Sequence, residues 1–202
     1  MKPADSVKCK DFPCLDIRRE SYLVPAVDID PARVSVLLIS EAAPANLADD
    51  YYAGPEALFA RTSLLAFQDA GAKVVSVQDI LALGVYLTTA VKCSKTAPGL
   101  ATPTIQNCSF LLEKEIDLFP NIKVYLLMGD VAIKAVNMIA KRNGEPRVIP
   151  AGSTYKIRGG EFNFRGARAL PSYVQAGPAF FVEKSKRKMI AEDIRKALLI
   201  AE

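Results

Sequence analysis

Histidine is absent from this chain of 202 residues, and its absence excludes several kinds of site. Neither a Ser-His-Asp triad nor a Cys-His pair can be built, and no metal can be bound through imidazole. Acid–base chemistry must come from carboxylates, lysine, tyrosine or cysteine. Long apolar runs are also missing: no stretch approaches the roughly 18 uncharged apolar residues of a membrane helix, and residues 1–10 lack the apolar core of a secretion signal. We therefore expect a cytoplasmic protein that does not contact the membrane.

The composition is that of a globular chain, with 50% hydrophobic and 24% charged residues, and we expect a single domain over residues 1–202. The net charge of +4 permits nucleic-acid binding. Basic side chains concentrate near the C-terminus, at Lys184, Lys186, Arg187 and Lys188. They are either a solvated helix face or a set of phosphate contacts.

Short apolar runs alternate with segments of helical spacing along the chain. The runs at 33–39, 73–77, 85–91 and 122–128 predict strands, and helices are predicted between and after them. This alternation predicts a three-layer α/β/α sandwich with a mostly parallel four-stranded sheet, preceded by an irregular lead over residues 1–33. Ligands of such sheets bind beyond the carboxyl ends of the strands. Three segments should therefore form the site: 40–54, 88–101 and 170–177.

The four cysteines are Cys9, Cys14, Cys93 and Cys108. The first two share a proline-containing loop, Cys93 closes a predicted strand, and Cys108 lies in the first turns of a predicted helix. Four thiolates suit a zinc ion or an iron–sulfur cluster. The spacings of four and fourteen intervening residues fit zinc ribbons poorly. Four unrelated thiols are the alternative, and disulfides are disfavoured in the cytosol.

Several motifs occur in a fixed order along the chain. They are SEAAP at 40–44, YLTTAVKC at 86–93, Thr102-Pro103, Cys108 with SFLLE after it, VYLLMGDVAIKAV at 124–136 and LPSY at 170–173. No single motif is specific. Together with the four cysteines, the ordered set resembles the iron–sulfur branch of the uracil-DNA glycosylase superfamily.

The resemblance implies a structural [4Fe–4S] cluster on all four cysteines, and base excision from DNA. A deaminated base such as uracil is flipped out of the duplex and its N-glycosidic bond is hydrolysed. A carboxylate would stabilise positive charge on the sugar, and polar groups would stabilise the departing base. Glu41 is the first candidate for this carboxylate, because SEAAP stands where the family has GEAPG; a surface turn residue is the alternative. Asp49 and Asp50 are second candidates, and Asn46, which would position water, is the third.

The resemblance also implies base-binding residues. Ala42 of SEAAP would contact the base. Tyr52, in YYAGP at 51–55, resembles the aromatic that lies under the base in other branches, with Phe59 as second candidate; an ordinary aromatic at a helix entry is the alternative. Thr89 stands where the family has an asparagine that reads uracil, and Leu170 where it has the histidine of HPS. Because neither side chain can make the same hydrogen bonds, a different damaged base, or weak or absent catalysis, is expected.

The segment after LPSY is expected to contact DNA. Ser172 would bind a phosphate, and Tyr173 and Val174 would push into the duplex as an apolar wedge. The basic residues at 184–188 would then hold flanking phosphates.

Three functions are open from the sequence. The first is a DNA glycosylase acting on a deaminated base, with DNA containing that base as partner. The second is a non-catalytic iron–sulfur DNA-binding module of the same fold. The third is a zinc-bound structural protein unrelated to DNA. We expect a monomer.

Overall fold

The computed structural model describes residues 1–202 and places a five-stranded sheet between two layers of helices. The strands are β1 (Ile17–Arg18), β2 (Val36–Ala42), β3 (Val85–Val91), β4 (Ser94–Lys95), β5 (Val124–Met128), β6 (Phe162–Phe164) and β7 (Ala167–Ser172). The helices are α1 (Pro3–Ser6), α2 (Leu58–Asp69), α3 (Val77–Ala82), α4 (Thr102–Ile116), α5 (Asp130–Arg142), α6 (Thr154–Ile157), α7 (Ala179–Val182) and α8 (Lys184–Ala201). Single 3₁₀ turns cover Arg19–Ser21, Pro31–Arg33 and Leu47–Asp49.

The strand order of the main sheet is β3-β2-β5-β7-β6. The first four strands are parallel and β6 runs antiparallel to β7. The predicted α/β/α class and mostly parallel sheet are confirmed, with five strands instead of four. None of the helices is both long and apolar enough to cross a membrane.

The predicted strand at 73–77 is wrong. Val77 begins α3, and a capping box precedes it: Ser76 Oγ accepts from the Asp79 N–H (3.2 Å), and Asp79 Oδ2 accepts from the Ser76 N–H (2.9 Å). These bonds start a helix. The remaining strands of the sheet are β6 and β7, and β7 continues through the LPS motif.

Side chains alternate between the two faces of β2, as a strand requires. Leu37 and Ile39 enter the apolar core that α4 and α5 cover, whereas Val36 and Leu38 enter the core beneath α2 and α8. Residues 36–39 of β2 are buried on both faces of the sheet, which accounts for their continuous apolar run.

The N-terminal lead docks on the segment that follows β3. Strand β1 pairs antiparallel with β4, which places Ile17 opposite Lys95. The Leu23 N–H donates to the Lys92 carbonyl (2.7 Å), and the Ser94 N–H donates to Ser21 Oγ (2.7 Å). This β1–β4 ribbon therefore fixes the backbone of residues 94 and 95, which follow β3.

Candidate functional site

A cleft of about 570 Å³ opens at the carboxyl ends of the parallel strands. The three segments expected at this edge all contribute to it, after β2, after β3 and after β7. Its lining is Ser40, Glu41, Ala42, Ala43, Pro44, Ala45, Asp49, Leu58, Phe59, Ser94, Lys95, Thr96, Ala97, Pro98, Val174, Ala176, Gly177 and Pro178.

Glu41 projects into this cleft from the end of β2, and its side chain is 27% exposed. Its carboxylate lies 3.6 Å from the Lys95 ammonium. It also lies against Gly129, which caps α5 with a φ of +99°. A Cβ at Gly129 would meet Glu41 Oε1 at 3.0 Å and Val174 Cγ2 at 2.4 Å. Glycine therefore lets Glu41 approach the start of α5, where the helix dipole favours a negative charge.

The other acidic and amide candidates are not all in the cleft. Asp49 lines it, and its Oδ1 accepts from the Leu58 N–H at the start of α2 (3.4 Å). Asn46 is exposed outside the lining and caps a 3₁₀ turn. Asp50 is buried away from the cleft, where it accepts from the Tyr52 N–H (3.1 Å), and burial raises its pKa.

Phe59 and Ala42 line the cleft, but Tyr52 does not. The Tyr52 hydroxyl donates to the Leu87 carbonyl (3.1 Å) and accepts from the Leu87 N–H (2.9 Å). Its ring stacks on Tyr86 with centroids 6.3 Å apart. Because β3 is an edge strand, Tyr52 satisfies backbone groups that no neighbouring strand pairs, and this position is at odds with the expected stacking on a base.

Neither Thr89 nor Leu170 lines the cleft. Thr89 is buried in β3, and its hydroxyl donates to the Val91 carbonyl (3.0 Å). Leu170 is 1% exposed, pairs with Leu126 across β5 and β7, and belongs to the core beneath α8. The expected base contacts of both residues are therefore at odds with the structure. Thr89 is buried with its hydroxyl bonded within its own chain segment, and Leu170 is buried because β7 extends through the motif that was expected to follow it.

The expected phosphate contact of Ser172 is also at odds with its position. Ser172 is wholly buried, and its hydroxyl donates to Asp193 Oδ2 on α8 (2.6 Å). Burial raises the pKa of Asp193. Of the two wedge candidates, Val174 lines the cleft, whereas Tyr173 packs against the core with the Lys186 ammonium 5.5 Å from its ring centroid.

The basic residues at the start of α8 differ in whether a carboxylate already pairs with them. Lys184 and Lys188 are exposed and form no ion pair. Lys186 pairs with Glu183 (2.6 Å), and Arg187 pairs with a carboxylate of α2 (2.9 Å). Lys184 and Lys188 are thus the free charges of this group.

All four cysteines line one small, otherwise apolar cavity, shared with Phe12, Ile17, Tyr22, Val91 and Leu111. None is in a disulfide. Burial raises the pKa of Cys93 to about 12, and the other three thiols add to that shift. No three cysteine, aspartate or glutamate side chains are arranged to hold a metal ion. The donor set itself, four thiols in apolar surroundings without a competing carboxylate, fits an iron–sulfur group.

A buried ion pair beside this cavity was not predicted. Lys92 and Glu115 are both fully buried and pair directly. The ammonium also donates to Thr88 Oγ1 (2.9 Å) and to the Thr89 carbonyl (2.5 Å), and the Tyr86 hydroxyl donates to Glu115 Oε1 (2.7 Å). Lysine and glutamate are mostly surface residues, so no sequence pattern signals this pair.

Lys95 was also missed, although segment 88–101 was expected at the site. It lines the cleft, but none of the motifs extends to it.

A hydrogen-bond network beside the cleft was not predicted either: Tyr51 OH is 2.5 Å from Ser40 Oγ and accepts from Gln175 Nε2 (3.2 Å). These bonds tie the segments after β2 and β7 together.

The amino-acid sequence matches the model of a known protein family. The sequence model of the uracil DNA glycosylase superfamily matches residues 27–194. The chain belongs to this superfamily, which confirms the resemblance seen in its motifs. Within it, the type-5 uracil-DNA glycosylase of Thermus thermophilus is 32% identical over 128 residues, covering 61% of this chain and 53% of that protein. The chain thus spans about half the length of this curated relative.

Proposed function

We propose that the protein is a DNA glycosylase that hydrolyses the N-glycosidic bond of a deaminated base, uracil first, flipped out of DNA. The observation that carries this proposal is the cleft at the carboxyl ends of the strands, which brings together the Glu41 carboxylate and the Phe59 ring. Family membership and the name of the Thermus relative support it.

Four residues of the cleft have a defined task in this reaction. The Glu41 carboxylate would stabilise the positive charge that develops on the sugar. Asp49 is the second carboxylate of the cleft and could hold the attacking water. Phe59, the one aromatic side chain in the lining, offers an apolar face for the base. Val174 remains the wedge candidate, and Lys184 and Lys188 are the candidates for phosphate contacts.

We place a structural [4Fe–4S] cluster at the four cysteines, on the strength of their shared apolar cavity and thiol-only donor set. When bound, the cluster would cross-link the lead, through Cys9 and Cys14, to the end of β3 and to α4, through Cys93 and Cys108. Residues 1–202 would form one domain in which the lead is held both by this cross-link and by the β1–β4 ribbon.

A non-catalytic DNA-binding module is the second candidate function. It is favoured by one observation: the cleft lining contains no asparagine or glutamine side chain. A uracil edge presents a donor beside an acceptor, which an amide side chain matches. A protein without that group could bind DNA without selecting or releasing a base.

Single-turnover base release from a uracil-containing duplex separates the two functions. Glu41→Gln should slow release about 10²- to 10³-fold, because it removes the charge and keeps the shape. Glu145→Gln is the matched control, since Glu145 lies beyond the far end of α5 from Gly129 and should leave the rate unchanged. Full activity in Glu41→Gln would remove this residue from the mechanism. DNA binding without release of any base would favour the second candidate.

A further inference from the structure

Lys95 is the single cationic side chain in the lining of the cleft. It shares that lining with two carboxylates, those of Glu41 and Asp49. The proposed function gives each carboxylate a task, at the sugar and at the attacking water, but gives none to this cation.

The Lys95 ammonium is available to a ligand. Its distance of 3.6 Å from Glu41 Oε2 makes an ion pair that is longer than an N–H···O hydrogen bond. The side chain is 38% exposed, and an ammonium carries three donors. An acceptor that enters the cleft can therefore receive a hydrogen bond from Lys95 while Glu41 stays close by.

The backbone beneath this side chain is fixed. Lys95 lies in β4 opposite Ile17 of β1, and the next residue, Thr96, donates its N–H to the Asp16 carbonyl (3.0 Å). The Ser94 N–H is bonded to Ser21. The N-terminal lead thus holds Lys95 at the cleft, which connects the cysteine-bearing part of the chain to the proposed chemistry.

Other donors near the cleft are weaker candidates for the departing base. The Ser40 hydroxyl is buried and shared with Tyr51 at 2.5 Å. Ser94 is also buried, with Ser21 as its hydrogen-bonding partner. Thr96 is exposed and neutral. A base that leaves with the bonding electron pair is an anion, and a cation stabilises it more strongly than a neutral hydroxyl does.

We propose that Lys95 is a catalytic residue that contacts the departing base and stabilises its negative charge. In this step the bond between C1′ and the base nitrogen breaks and its electron pair leaves with the base. The oxygen of water bonds to C1′, and the proton that this water loses ends on the base, so Lys95 keeps its own proton. This role rests on the proposed glycosylase function and replaces the donor that Leu170, buried in the core, cannot supply.

A phosphate contact is the competing role for a lysine at this position. The two roles differ in their sensitivity to the leaving group. A residue that stabilises the departing anion matters most when the base is a poor leaving group, whereas a phosphate contact affects every base equally.

The test is single-turnover release of uracil and of 5-fluorouracil, the more acidic leaving group, from otherwise identical duplexes. The variants are Lys95→Met, Lys95→Arg and Lys73→Met; Lys73 is an exposed lysine in the turn before α3 and controls for loss of one positive charge. Lys95→Met should slow uracil release about 100-fold and 5-fluorouracil release about 10-fold or less. Lys95→Arg should retain most of the activity, and Lys73→Met should match the wild type. Affinity for a duplex carrying non-cleavable 2′-fluoro-deoxyuridine should stay within about twofold of the wild-type affinity in all variants. Loss of a phosphate contact would instead lower this affinity.

An equal loss for both bases in Lys95→Met, or no loss, overturns the role in base departure. A rate loss matched by lost affinity identifies Lys95 as a phosphate ligand instead. If the wild-type protein releases neither base, the proposed function fails, and the role of Lys95 fails with it. Wild-type activity on both bases therefore separates failure of this inference from failure of the function.

Discussion

The buried pair of Lys92 and Glu115 should be a major determinant of stability. Glu115→Gln keeps the size of the side chain but leaves the Lys92 ammonium without a counter-charge at a fully buried site. Breaking such a pair costs about 3–5 kcal/mol. Since Lys92 keeps its hydrogen bonds to Thr88 and to the Thr89 carbonyl, we expect the lower end, about 3 kcal/mol.

A loss of this size is large compared with the total stability of a domain, about 5–15 kcal/mol. With a urea dependence of about 2 kcal/mol per M, it lowers the unfolding midpoint by about 1.5 M. Urea denaturation of wild type and variant, prepared in the same metal state, measures the shift. Glu183→Gln is the control, because its exposed pair with Lys186 contributes about 0–1 kcal/mol.

A double variant distinguishes the ion pair from simple packing. Lys92→Met with Glu115→Leu removes both charges together, so it should be at least 1 kcal/mol more stable than Glu115→Gln alone. A urea midpoint for Glu115→Gln within about 0.3 M of wild type would refute the reasoning. At about 2 kcal/mol per M, the loss of stability would then be smaller than an unpaired buried charge causes.

Three further predictions concern the cleft and its supports. Gly129→Ala should lower both stability and base release, because its Cβ would meet Val174 Cγ2 at 2.4 Å and Glu41 Oε1 at 3.0 Å. Gly144→Ala, at a φ of +74° with no atom within 4 Å, should cost about 1 kcal/mol of backbone strain and leave activity intact. Asp50→Asn should gain stability relative to wild type as pH rises above 3.8: burial raises the pKa of this carboxyl, so the folded state binds the proton more tightly and wild type loses stability as the group ionises. Ser172→Ala should cost about 1–3 kcal/mol without changing the salt dependence of DNA affinity.

Each of these outcomes has a clear opposite. Equal behaviour of the two glycine variants would contradict the close approach at Gly129. A stability difference between wild type and Asp50→Asn that does not change between pH 4 and 7 would contradict the effect of burial. A weaker salt dependence of DNA affinity in Ser172→Ala would indicate that this hydroxyl contacts a phosphate.

Local signals predicted much of the fold. Strand β3 has the predicted bounds, 85–91, because its apolar and β-branched residues favour a buried strand in this fold class. Helix α4 begins at Thr102, next to the proline that favours the first turn. The strand predicted at 73–77 is wrong because a short valine-rich run there favours a strand, whereas the bonds between Ser76 and Asp79 start a helix.

The place of the cleft could be predicted, but the direction of individual side chains could not. Parallel strands bring their carboxyl ends to one edge, which put the right three segments together. Within them, Asp49 lines the cleft and Asp50 is buried; Phe59 lines it, whereas Tyr52 binds the edge of β3. Neighbouring residues in a turn point in different directions, and tertiary contacts rather than residue type decide which one faces the ligand. The Lys92–Glu115 pair depends in the same way on the packing of α4 against β3.

Base release by the wild-type protein tests the central claim most directly. The measurement uses matched duplexes that carry uracil, hypoxanthine, xanthine or a mismatch, with alkaline cleavage of the resulting abasic site as readout. The account predicts strand cleavage at a deaminated base, uracil first. Binding to all of these duplexes without cleavage at any lesion would contradict it and identify the chain as a DNA-binding module of the same fold.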